Sequence, residues 1–196
     1  TPAATQAILS PLLAEFYKTE PRVHIDVQED SSQRLLPLLL NGGLDAVFCR
    51  EPVLLPASYV FKPLQPDEPV IMASTRHPLA KRRGIALSAL KDSRWVLPTA
   101  TIAVREIFER EVLAALPDAL QFPVSTVSLP VFASLLNQPD AVALVPQSIA
   151  PVLPSGAQLC QLDVQLSSPL PPLGVVHRRE QIPAMLIRML KSWRTK

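Results

Sequence analysis

The sequence predicts an α/β fold with two successive open sheets, and three features carry that reading. Short apolar strands alternate with amphipathic helical runs along the chain, the pattern of sheets flanked by helices. Residues 29 to 45 (Glu29-Asp30-Ser31-Ser32-Gln33-Arg34-Leu35-Leu36-Pro37-Leu38-Leu39-Leu40-Asn41-Gly42-Gly43-Leu44-Asp45) pass from a hydroxyl-bearing loop into an apolar helix that stops at the glycines. They lead into a buried strand, Leu44 to Cys49, followed by Arg50. This reads as one strand–helix–strand step of a parallel sheet, with hydroxyls where ligands sit, past a strand's carboxyl end and at a helix N-terminus. Third, Ala141-Val142-Ala143-Leu144-Val145 is continuously apolar, as in a strand covered on both faces.

The elements follow in order. Thr1-Pro2 reads as a helix start entered from a preceding strand, and Ile8, Leu9, Leu12, Leu13 and Phe16 recur at helical spacing over residues 3 to 18. Pro11 interrupts that run and loosens the turn before it. Val23, Ile25 and Val27 alternate with polar residues, which predicts a strand. After the helix that begins at Ser32 and the strand 44 to 49, further strands are expected at 59–64, 70–74 and 95–97, with a helical turn at 87–90. A helix over 102 to 115 presents Ile102, Ile107, Phe108, Val112 and Leu116. Phe122 to Val127 is a strand, and Ser128 caps a helix to Leu136, with Pro130 tolerated in its first turn. The strand 141–145 ends at Pro146, residues 148–152 form a short helix, and 159–164 and 173–177 are strands. The last helix, 181 to 194, turns Ile182, Met185, Leu186, Met189, Leu190 and Trp193 inward. One set of strands precedes residue 70 and a second fills 71–164; residues 165–196 rejoin the first set.

Composition narrows the function. Apolar residues make up 48% and charged residues 18%, so the chain is globular and not disordered. The net charge is only +2 and the longest basic cluster is Lys81-Arg82-Arg83, too little for the several simultaneous phosphate contacts that nucleic-acid binding needs. With 22 prolines but only 5 glycines, the chain has many sharp junctions and cannot build a phosphate-binding P-loop, a dinucleotide turn or a nucleophile elbow. Cys49 and Cys160 are far apart with no CxxC, which predicts reduced thiols. His24, His77 and His177 have no second ligand at metal spacing, and the acidic residues are dispersed; neither a metal site, nor a cofactor, nor a paired-carboxylate catalyst is expected. No signal peptide and no apolar run long enough to span a bilayer is present, so a cytoplasmic protein is expected.

What does recur is hydroxyls where strands hand over to helices: Thr1, Ser31 and Ser32, Thr99 and Thr101, Thr126 and Ser128. Each alone is an N-cap. Together they suggest helix N-termini that suit a small anion, with Arg50 either pairing with it or engaged by a carboxylate such as Glu51 or Asp45.

The chain resembles the effector-binding domain of LysR-type transcriptional regulators. The resemblance rests on Pro11-Leu12-Leu13, Phe16 and Pro21, the serine loop and Leu44-Asp45, and Glu68-Pro69 with His77-Pro78-Leu79-Ala80. It continues through Leu87 to Arg105, Val127 to Pro146, and Pro172-Leu173-Gly174-Val175-Val176-His177-Arg178. It implies two Rossmann-like subdomains of type 2 periplasmic-binding-protein architecture joined by two crossing strands: 1–70 with 165–196, and 71–164. It further implies a ligand sensor, not an enzyme, holding a small effector (carboxylate, other anion or sugar) between subdomains. The contacts implied are Thr1, Pro2, Ala3, Ser31, Ser32, Arg50, Thr99, Thr101, Thr126, Ser128, Val145 and Pro146. Ala3 departs from the family, which places a hydroxyl near that position, and Pro139-Asp140-Ala141-Val142 replaces the family's glycine-containing turn. The implied partners are a second copy in a homodimer or tetramer, and DNA only through an N-terminal winged helix-turn-helix that these residues do not include; no membrane contact is implied. The rival readings on the same architecture are a transporter's periplasmic solute-binding protein and an enzyme with a cofactor tethered to cysteine.

Overall fold

The computed structural model describes residues 1–100, 102–153 and 158–193. The chain divides into two compact units, Thr1–Asp67 with Pro171–Lys196, and Glu68–Leu170.

In the first unit, helix α1 runs through Pro2–Ala4, a widened turn Thr5–Leu9, and Ser10–Phe16. The wide turn closes with the Ser10 N–H donating to the Thr5 carbonyl, directly before Pro11, which has no N–H to continue the regular ladder. Helix α2 spans Ser32–Leu40, and Gly42, at φ +78°, turns the chain after it. Strands β1 (Ala46–Arg50), β2 (Tyr59–Gln65) and β8 (Leu173–Arg178) form a sheet in the order β1-β8-β2, both pairings antiparallel. Helix α5 (Ala184–Ser192) closes the unit.

Side chains alternate across this sheet. Phe48, Leu173 and Val175 face Ile8, Leu12 and Phe16 of α1 and Leu186 and Met189 of α5. Val47, Cys49 and Val176 face Leu35 and Leu39 of α2, with Tyr59. Each fully buried leucine or isoleucine contributes roughly 1.5–3 kcal/mol through apolar burial. One expectation fails. Residues 23–27 form no strand, although Val23 and Ile25 pack against the α1 cluster. An alternating pattern makes a strand only where a neighbour supplies hydrogen bonds, and among the described residues none pairs with it.

The second unit carries a five-stranded sheet, order β5-β4-β6-β3-β7, of β3 (Pro69–Ser74), β4 (Arg94–Leu97), β5 (Leu120–Ser125), β6 (Ala141–Pro146) and β7 (Leu159–Leu162). β4 runs parallel to both β5 and β6, whereas β3 is antiparallel to β6 and β7. β6 is buried at every position, in keeping with its apolar run. Helix α3 runs through Ala103–Ile107, Phe108–Val112 and Leu113–Ala115 and puts Val104, Ile107, Phe108 and Val112 into a core with Trp95, Leu97, Val142 and Leu144. The Trp95 and Phe108 rings meet edge-on with centroids 5.2 Å apart. Helix α4 is Leu129–Leu136. Its N-cap, Ser128, makes no side-chain capping bond; instead the Thr126 hydroxyl accepts the Ser128 N–H at 3.0 Å, a turn formed two residues earlier.

Candidate functional site

The parallel strands of the second unit decide where its hydroxyls lie. Because β5, β4 and β6 point the same way, their carboxyl ends share one edge of the sheet. Thr99 follows β4, Thr126 and Ser128 follow β5, and Val145 and Pro146 end β6. The Thr126 N–H donates to the Leu97 carbonyl at 3.2 Å, which fastens the two exits side by side. Pro69, at the start of β3, lies opposite Pro146, and the Gln147 N–H donates to the Glu68 carbonyl at 2.7 Å. Thr99 and Thr126 are partly exposed, Ser128 is exposed, and Val145 and Pro146 are buried. This is the position at which open α/β sheets hold ligands. Thr101 lies outside the described residues.

In the first unit, Thr1 sits against β1: its nitrogen donates to the Phe48 carbonyl at 2.8 Å, and its hydroxyl to the same oxygen at 3.4 Å. Pro2 is exposed and Ala3 half-buried, so α1 begins without a hydroxyl at its second or third residue. Ser31 and Ser32 are half-buried at the start of α2, and Ser31 occupies the cap position without a side-chain capping bond. The Ser31 N–H instead donates to the Asp30 carboxylate at 2.7 Å.

Arg50 ends β1 and is already engaged. Its Nη2 lies 2.5 Å from the Asp67 carboxylate, with side-chain exposures of 14% and 2%, and its Nη1 donates to the Pro171 carbonyl at 3.0 Å. The partner is therefore Asp67, not Glu51 or Asp45. Sequence reasoning missed Asp67; the available signal was an acidic pair, Asp67-Glu68, held between Pro66 and Pro69 at a unit boundary.

His77 is 5% exposed and not a free loop histidine. The Leu79 N–H donates to its Nδ1 at 3.1 Å. That leaves the proton on Nε2, which faces the Ser93 hydroxyl at 3.1 Å. Burial holds its pKa below the ordinary 6.5, against an opposing pull from Asp140. Cys49 is fully buried and Cys160 partly exposed, both free. Burial pushes the Cys49 thiol up to about 11, the opposite of what a reactive thiol needs. Among the described residues there is no group of three or more His, Cys, Asp or Glu that could hold a metal, and no helix is long and apolar enough to cross a membrane.

Residues 1–193 match the model of the LysR substrate binding domain. The chain belongs to that family. The HTH-type transcriptional regulator TtuA of Agrobacterium vitis is 34% identical over 96 residues, which are 49% of this chain and 32% of that protein. Two solved structures show the same fold. The regulatory domain of Synechocystis PCC6803 CcmR, in complex with 2-PG, superposes with a TM-score of 0.78 at 17% identity, covering 96% of this chain and 90% of that one. The effector binding domain of QuiR, in complex with shikimate, gives 0.73 at 17% identity, with coverage of 96% and 90%. The curated relatives are named transcriptional regulators, and the match spans about a third of TtuA. The LysR domain thus accounts for the α/β architecture.

Proposed function

We propose that this LysR domain is the cytoplasmic sensing part of a longer bacterial regulator, and that it binds a small effector, an anion such as a carboxylate or else a sugar. The observation that carries this reading is the shared carboxyl edge of β5, β4 and β6, where Thr99, Thr126 and Ser128 stand beside the end of β6. Ser31 and Ser32 at the start of α2, with Thr1 to Ala3 at the start of α1, are the contacts proposed from the first unit, and Thr101, Val145 and Pro146 complete the set. Arg50 acts there by holding Asp67 and Pro171 in place; an effector that draws on its charge would compete with Asp67. Effector binding shifts the populations of conformations that differ in affinity for it. A homodimer or tetramer passes that shift to a winged helix-turn-helix that contacts DNA. The rival reading as a transporter's solute-binding protein is disfavoured by relatives that are named regulators.

Thermal unfolding against a panel of small acids, sugars and amino acids tests this. A true effector at 100 times its dissociation constant adds about 2.7 kcal/mol, and Ser128→Ala or Thr99→Val should shrink that gain while leaving the unliganded melting temperature within a few degrees. A chain that responds to nothing in the panel would sink the sensor reading.

A further inference from the structure

A protein can seat a small anion on a cationic side chain or at the N-terminus of a helix. In this chain both kinds of seat are taken by its own groups. Arg50 is the one charged side chain among the proposed effector contacts, and the Asp67 carboxylate lies 2.5 Å from its Nη2. Its Nη1 is spent on the Pro171 carbonyl. An anionic effector that paired with Arg50 would strip the cation from a carboxylate whose side chain is 2% exposed. The start of α2 is filled in the same way. Asp30 Oδ1 accepts the Ser31 N–H at 2.7 Å, and Asp30 Oδ2 lies 3.3 Å from Arg34 Nη1. The Ser31 N–H holds the Asp30 carboxyl below its ordinary 3.8, so a negative charge already stands at that helix end.

The second unit offers no better seat. α4 has Pro130 in its first turn, which has no N–H to give, and the Ser128 N–H is spent on the Thr126 hydroxyl. What that edge does present is neutral hydroxyls, and a hydroxyl both donates and accepts. The Thr126 oxygen accepts the Ser128 N–H, so its own proton is left to donate. Resting on the reading of this domain as an effector sensor, we infer that its effector is an uncharged, hydroxyl-rich molecule of the sugar or polyol class, and that Asp30 and Asp67 select against carboxylates. A polyol matches partners that donate and accept in turn. A carboxylate only accepts, and the donors it needs are committed to the chain's own carboxylates.

Isothermal titration with matched pairs tests the class: glucose, galactose and mannose, each against its uronate at equal ionic strength. A sugar should bind saturably, and its uronate about tenfold or more weakly, from the like charges it meets. Asp30→Asn should strengthen uronate binding by about two- to fivefold, the effect of one charge at a helix N-terminus, and leave the sugar unchanged. Inorganic sulfate gives a second readout that needs no effector: it should bind Asp30→Gly more tightly than the wild type by a similar factor. Saturable sulfate binding to the wild type that Ser31→Ala with Ser32→Ala removes would reveal an open anion seat and overturn the inference. A wild type that binds a uronate more tightly than its sugar would overturn it too, while leaving the sensor reading standing. Heat from no sugar and no uronate would take the sensor reading down with it.

Discussion

The Arg50 guanidinium lies 2.5 Å from the Asp67 carboxylate and also takes the Pro171 carbonyl, and these two partners are the residues at which the chain leaves and re-enters its first unit. One side chain at the end of β1 therefore fixes both passages. The Asp67 side chain is 2% exposed, so removing the facing cation would leave a buried carboxylate without its opposite charge.

Removing the cation should be costly for that reason. Arg50→Ala is expected to lower stability by about 3–5 kcal/mol in urea unfolding, the range for stripping one partner from a buried pair. The double variant Arg50→Ala with Asp67→Ala should cost less than the sum of the two single changes. Strict additivity would mean that the two groups do not interact.

His77 predicts a specific acid sensitivity. Its folded pKa lies below the ordinary 6.5, so the unfolded chain binds the proton more readily. Stability from this group is complete above 6.5 and is lost as pH falls from 6.5 through the folded value. Protonation would also remove the Nδ1 lone pair that accepts the Leu79 N–H. Urea midpoints measured from pH 7.5 down to 5 should decline in the wild type and decline less in His77→Gln. Parallel curves for the two proteins would refute the assignment.

The thiols should separate kinetically. At neutral pH Cys49, fully buried and with its pKa pushed up to about 11, should stay unmodified by iodoacetamide while the partly exposed Cys160 reacts. Intact mass should show one adduct in the native protein and two in urea. Two adducts at equal rates in the native protein would contradict the burial of Cys49.

Gly174 should tolerate no side chain. It lies in β8 between Cys49 and Pro63, and a Cβ there would collide with the Lys62 carbonyl oxygen and stand 2.6 Å from the Phe61 ring. Gly174→Ala should lower stability by about 1–3 kcal/mol, the usual cost of overpacking, measured as a shift in urea midpoint. Gly84→Ala, at φ +60° but in open space, should cost about 1 kcal/mol from backbone strain alone.

How much of this was legible depended on range. α5 stands out because burial on one face selects apolar residues at a spacing of 3.6, and β6 because a strand covered on both faces is apolar at every position. The hydroxyls at the ends of β4 and β5 were legible as residues, since strand-to-helix handovers leave short polar loops, but whether they stood on one edge was not. That needed strand direction, which the register of β4 against β5 and β6 supplies. The alternation at Val23, Ile25 and Val27 misled, since a period-2 pattern records which faces are buried and says nothing about whether a ladder partner is present.

The sequence by itself determined the α/β class, most of its helices and strands, and the family resemblance, because periodicity and short motifs are local properties of a chain. Only the tertiary structure decided that Arg50 answers to Asp67 and Pro171 and that His77 is buried with one fixed tautomer. Each of those depends on groups far apart in sequence, brought within hydrogen-bond reach by packing, and at contact range a shift of about 1 Å makes or breaks the interaction.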